Sequence, residues 1–185
     1  GPIDPDALGI TITHEHLLID LSVVFVDPID EDGRRLAEEP VGIGNLGWIR
    51  VNWSSNRDNL VQRDVDLAAR EAVRYRTANG GTLVDVTSVG IDRNPAALRE
   101  ISLRAGIHVI MGAGYYVGST HRHDMDQKTP EQIADEITRD ITEGVGHTGV
   151  RSGIIGELGC SWPLTENERK VVRAGAMAQQ RTGAP

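Results

Sequence analysis

Four short runs of apolar and β-branched residues, at positions 9–19, 82–88, 107–116 and 154–158, are bounded by glycine and read as strands. Longer stretches with helical spacing separate them. Residues 60–78 set Leu60, Val61, Val65, Leu67, Ala68, Ala72, Val73 and Tyr75 on one face, and Asn79-Gly80-Gly81 ends that helix. Asn94, with Pro95 at the first helical position, opens another that runs to Gly106. Thr129-Pro130-Glu131-Gln132 and Thr165-Glu166-Asn167-Glu168 are capping boxes that open two more. Strict alternation of strand and helix predicts an α/β fold, with a parallel sheet inside and helices outside. Residues 20–56 stand apart as an irregular connection carrying Gly42, Gly44, Gly47, Trp48 and Trp53, and a connection this long is usually functional or mobile.

Composition narrows the partners. The chain has 185 residues and a formal net charge of -8, from 27 acidic and 19 basic residues. Without a basic cluster it is a poor phosphate-backbone binder, so nucleic acid is not an expected partner. No run approaches the length of a membrane span, and the N-terminus lacks a signal-peptide pattern, so no membrane association is expected. The lone cysteine, Cys160, forms no intrachain disulfide and belongs to no CxxC or Cys/His cluster. Such usage fits a reducing compartment, and the expected location is the cytoplasm.

Candidate chemistry begins at Thr13-His14-Glu15-His16, near the end of the first strand-like run. Side chains two apart in a strand share a face, so two imidazoles can converge on one metal ion while Glu15 points away. The alternative is a pair of satisfied core or helix-start histidines. Spacing alone does not decide, because His121-Arg122-His123 repeats it. Context separates the pairs: His14 and His16 end an apolar strand at the edge where parallel α/β folds place their sites, whereas His121 and His123 read as a solvated loop. Glu157, in Gly156-Glu157-Leu158-Gly159, is a single charge near the end of a buried-looking strand. It needs a metal, hydrogen bonds or an arginine partner to offset its desolvation. Asp85 raises the same question, as an acceptor for a histidine ligand or as a paired core aspartate. Cys160 has no histidine partner in sequence that would make it a nucleophile.

Several ordered segments together resemble the phosphotriesterase family of the amidohydrolase superfamily. They are Gly1-Pro2-Ile3 leading into Thr11-Ile12-Thr13-His14-Glu15-His16-Leu17, then Ala78-Asn79-Gly80-Gly81-Thr82, then Gly112-Ala113-Gly114-Tyr115-Tyr116-Val117. The segment from Gly153 through Gly156-Glu157-Leu158-Gly159-Cys160-Ser161-Trp162-Pro163 to Thr165 is most similar to the phosphotriesterase-related branch. The resemblance implies a (β/α)8 TIM-barrel fold with one or two divalent metals, usually Zn2+, at the C-terminal ends of the strands. His14 and His16 match the family's first-strand ligand pair. Glu157 matches the bridging carboxylate that this branch uses in place of a carboxylated lysine, and it is thus both a metal ligand and a catalytic residue. The implied reaction is hydrolysis of a small-molecule ester, lactone, amide or phosphotriester by metal-activated hydroxide, since a metal brings the pKa of water from 15.7 toward about 7. Tyr116 matches a pocket-lining tyrosine, with a core aromatic as the alternative. Trp162 reads as a substrate-binding pocket wall or as packing under its loop.

The family site also draws two histidines from strands 5 and 6 and an aspartate from strand 8. The expectation is therefore that residues 1–185 form a single incomplete domain, four of the eight strand–helix units, with a few residues also absent upstream. Alone, such a segment is expected to be inactive or nearly so. An exposed edge strand and an uncovered inner face favour association, a homodimer being the simplest form. Two other readings stay open: a non-catalytic or truncated barrel fragment, and an unrelated open α/β domain whose histidines are structural.

Overall fold

The computed structural model describes residues 2–185; Gly1, at the head of the Gly1-Pro2-Ile3 segment, lies outside the described residues. In chain order the elements are β1 (Ile10–Glu15), β2 (Ile19–Asp20), α1 (Glu31–Glu38), α2 (Leu46–Val51), β3 (Val61–Gln62), α3 (Val65–Thr77), β4 (Gly80–Asp85), α4 (Pro95–Ala105), β5 (His108–Ala113), α5 (Pro130–Thr142), β6 (Ile154–Ile155) and α6 (Glu166–Thr182). Strands β1, β4, β5 and β6 pair in that order, every pair parallel, as a curled half-barrel with helices between successive strands. This is the four-unit portion of a TIM barrel that the motifs predict.

Local chemistry accounts for the helix limits. The Asn94 side chain accepts from the Ala97 amide with Pro95 at the first turn, and Gly106, at φ 66°, ends α4 in the left-handed conformation that glycine adopts without steric cost. Both predicted capping boxes form, at Thr129 with Gln132 and at Thr165 with Glu168. The helix predicted over 60–78 starts later. Asp64 caps it by accepting from Leu67 N at 2.9 Å, while Val61 pairs with Asp20 in the small antiparallel β2–β3 sheet. Residues 20–56 are not structureless: α1 begins at an N-cap, Asp30, and α2 follows.

The core forms two clusters on the helical side of the sheet. One joins Ala68, Ala72, Leu83, Leu98, Ile101 and Met111, where α3 packs on α4. The other joins Ala113, Tyr115, Ile133, Ile137, Val171 and Ala174, where α5 packs on α6. Strand β1 departs from the buried strand expected: Ile10 is 61% and Ile12 38% exposed, because β1 has a neighbour on one edge only. No helix among the described residues is long and apolar enough to cross a membrane.

Candidate metal centre

His14 lies in β1 and His16 directly after it. The β1–β4 register slips between Ile12 and Glu15, so the strand bulges at the pair rather than alternating strictly. The two rings nonetheless converge, with centroids 5.4 Å apart and nearly perpendicular planes.

Glu157 reaches them by an unusual path. After β6 pairs with Gly112 and Ala113 of β5, Gly156 N donates to Ala113 O at 2.8 Å and Glu157 N donates to Val86 O at 3.2 Å. Val86 N in turn donates to Glu15 O at 3.0 Å. The chain thus passes over β5 to the end of β4, beside β1. Gly112 permits the crossing, since a Cβ there would lie 1.9 Å from Gly156 O and 3.3 Å from Val86 Cα. The result sets Glu157 Oε2 3.4 Å from His14 Nε2, and Glu157 Oε1 3.6 Å from His16 Nε2.

One donor atom from each of His14, His16 and Glu157 lies within 4.8 Å of the others, the single such cluster among the described residues. Two imidazole nitrogens and a carboxylate oxygen suit zinc and other borderline divalent cations. The His14 side chain is 61% exposed, which leaves that flank open to additional donors. Burial is the main influence on His16; together with the neighbouring His14 ring it outweighs the opposing pull of Glu157 and holds the imidazole below its ordinary pKa. The ring is therefore neutral near pH 7, the form that ligates a metal.

Other candidates fall in different places. Tyr116 is half-buried, and burial followed by the Glu157 charge raises its pKa, so it belongs to the same neighbourhood. Trp162 is 96% exposed and does not pack under its loop. Asp85 is fully buried, but neither as a histidine acceptor nor in an ion pair: its carboxylate accepts from the amides of Leu17, at 2.8 Å, and Thr87, at 3.1 Å. Desolvation raises its pKa against those bonds. His121 is not a solvated loop residue, since its Nε2 lies 2.8 Å from Tyr116 O and its ring meets Tyr115 edge-on. His123 and Cys160 are exposed.

Two roles escape sequence reading. Thr87 Oγ1 lies 2.9 Å from His16 Nδ1, and the only hint in sequence is a hydroxyl two positions after a strand-end aspartate. Glu168, legible as a capping-box residue, also gathers the amides of Gly118 and Ser161 and the Ser161 hydroxyl. A cleft lined by Arg63, Asp92, Arg93 and Arg122 contains none of the three metal donors. Arg63 there is paired with Asp20 and Asp92, and Arg93 with Asp140.

A model of the phosphotriesterase family matches residues 1–185. N-acetyltaurine hydrolase of Danio rerio is 41% identical and that of Homo sapiens 40%, each matched over 100% of this chain and 53% of its own length. Among solved structures, a resiniferatoxin-binding protein from Rhodobacter sphaeroides superposes with a TM-score of 0.97 at 40% identity, over 100% of this chain and 52% of that one. A phosphotriesterase homology protein from Escherichia coli, complexed with phosphate in its active site, gives 0.74 at 26% identity, over 99% and 52%. The chain spans about half the length of these relatives. With the family model matching from residue 1 to residue 185, this chain belongs to the phosphotriesterase family.

Proposed function

We propose that the chain supplies half of a metal-dependent hydrolase site, one incomplete barrel domain with His14, His16 and Glu157 as its cation ligands. The convergence of three donors from two chain segments distant in sequence is the observation that carries this reading. Zn2+ is the proposed ion, on the chemistry of the donor set. When bound, such an ion supplies Lewis-acid polarisation and lowers the pKa of water.

The chain's own residues then divide the work. His14 and His16 each turn Nε2 toward the Glu157 carboxylate, which offers one oxygen to each ring. Tyr116, kept protonated by burial and by the Glu157 charge, is proposed as a hydroxyl donor to the substrate. Exposed Trp162 is proposed to contact substrate from the rim. The substrate class favoured by the relatives' activity is an N-acyl amide with an anionic tail, of the N-acetyltaurine type.

The metal reading is tested by elemental analysis of the purified chain. About one divalent ion per chain, lost when His14 and His16 are both changed to alanine, supports it; a well-folded chain without affinity for Zn2+ overturns it. These three donors lack the two further histidines and the aspartate that the family resemblance implies, so residues 1–185 alone are expected to turn over little or no N-acetyltaurine. Chelator-sensitive turnover by these residues would contradict that part. A cytoplasmic setting and a homodimer through the exposed β1 edge accompany the proposal, and sedimentation at micromolar concentration reads the second.

A further inference from the structure

We propose that Thr87 is a positioning residue that holds His16 in its Nδ1–H tautomer and so directs the Nε2 lone pair toward Glu157; this rests on the metal-centre reading above.

The hydrogen-bond directions are set by elimination. Thr87 Oγ1 lies 3.1 Å from Leu18 O and 2.9 Å from His16 Nδ1, and its hydroxyl also faces the Asp85 carboxylate. A carbonyl oxygen only accepts, and so does a carboxylate, so the single hydroxyl proton serves that side, in the hydrogen bond to Leu18 O. For the His16 contact to be a hydrogen bond as well, Thr87 must accept it, which requires the proton on Nδ1. A neutral imidazole then carries its lone pair on Nε2, the atom 3.6 Å from Glu157 Oε1. Buried contacts fix Thr87 itself: its amide donates to Asp85 Oδ1, and Asp85 Oδ2 accepts from Leu17 N. Asp85 and Thr87, at and just beyond the end of β4, thus clamp residues 16–18 through three separate hydrogen bonds, to His16, Leu17 and Leu18. Thr87 is 1% exposed, so water does not compete for the imidazole proton. Partners of this kind, on the far nitrogen of a ligating histidine, typically change metal affinity by about 10–100-fold.

The test combines Thr87→Val, which keeps the shape and removes the hydroxyl, with Thr87→Ser, which keeps the hydroxyl. Nitrogen-15 NMR of the metal-free chain, at a pH where His16 is neutral, is expected to show Nδ1 protonated in the parent and in Thr87→Ser, and a tautomer mixture in Thr87→Val. Competition with a chromophoric chelator is expected to show Zn2+ affinity lowered about 10–100-fold in Thr87→Val and within a few-fold of the parent in Thr87→Ser. An Nε2–H tautomer in the parent overturns the proposal whether or not the valine variant folds. An unchanged tautomer and affinity in folded Thr87→Val also overturn it, while the metal centre stands. A parent with the Nδ1–H tautomer but no Zn2+ affinity instead sinks the metal-centre reading and leaves the role of Thr87 in orienting His16 intact.

Discussion

Arg93 Nη2 donates to Asp140 Oδ2 at 2.8 Å across the boundary between the two core clusters, with the two side chains only 7% and 20% exposed. A second guanidinium nitrogen, Nη1, donates to Gly112 O at 3.1 Å. One side chain therefore ties the lead-in to α4 both to α5 and to the strand beneath. Arg93→Met leaves Asp140 with its charge largely desolvated and unpaired, and is expected to lower stability by about 3 kcal/mol in urea unfolding. The double change Arg93→Met with Asp140→Leu should recover part of that loss, because it removes the stranded charge.

Gly112 controls a different crossing. Alanine there drives a methyl into Gly156 O, so β5 and residues 156–157 must separate. Gly112→Ala is expected to cost about 3 kcal/mol or more, and Zn2+ affinity should fall with it because Glu157 moves. Gly44→Ala is the control, since nothing lies within 4 Å of a Cβ at that position. Equal thermal stability of the two variants would refute the crossing argument.

Glu168 sets an acid limit. Burial pushes its pKa up, but the Thr165 and Gly118 amides and the Ser161 and Thr165 side chains outweigh that and hold it at about 2, against an ordinary 4.5. A carboxylate with a depressed folded-state pKa contributes stability that is fully present above about pH 4.5 and is lost as pH falls toward 2. Glu168→Gln should destabilise the chain by about 2–3 kcal/mol at pH 7 and flatten its stability profile between pH 5 and about 2. Circular dichroism followed through acid titration reads both; a parallel profile in the variant would contradict the assignment.

Trp162 separates stability from recognition. Being 96% exposed, it should change unfolding free energy by less than about 0.5 kcal/mol when replaced by alanine. On the proposed function, Trp162→Ala should raise KM for the proposed substrate with kcat retained, and an unchanged KM removes Trp162 from the proposed substrate contacts.

Much of the architecture is written locally. Asn94, Thr129 and Thr165 announce their helices because an N-cap and its partner lie within three residues of each other, so the signal survives without tertiary context. Asp64 carries the same kind of signal, but apolar Leu60 and Val61 fit a helical face as well as a strand, so the helical pattern runs on over them. Only the pairing of Asp20 with Val61 decides between the two.

The site divides along the same line. His14, His16 and Glu157 are legible as residue types at strand ends, and the family resemblance links them. Which nitrogen of His16 is free, how Glu157 passes over Gly112, and why Asp85 serves backbone amides rather than a histidine are set by contacts such as that of His16 with Thr87, 71 residues away in sequence. Sequence periodicity reports which face of an element a side chain occupies. Hydrogen-bond direction and convergence depend on how distant elements come together, and only the packed sheet determines that.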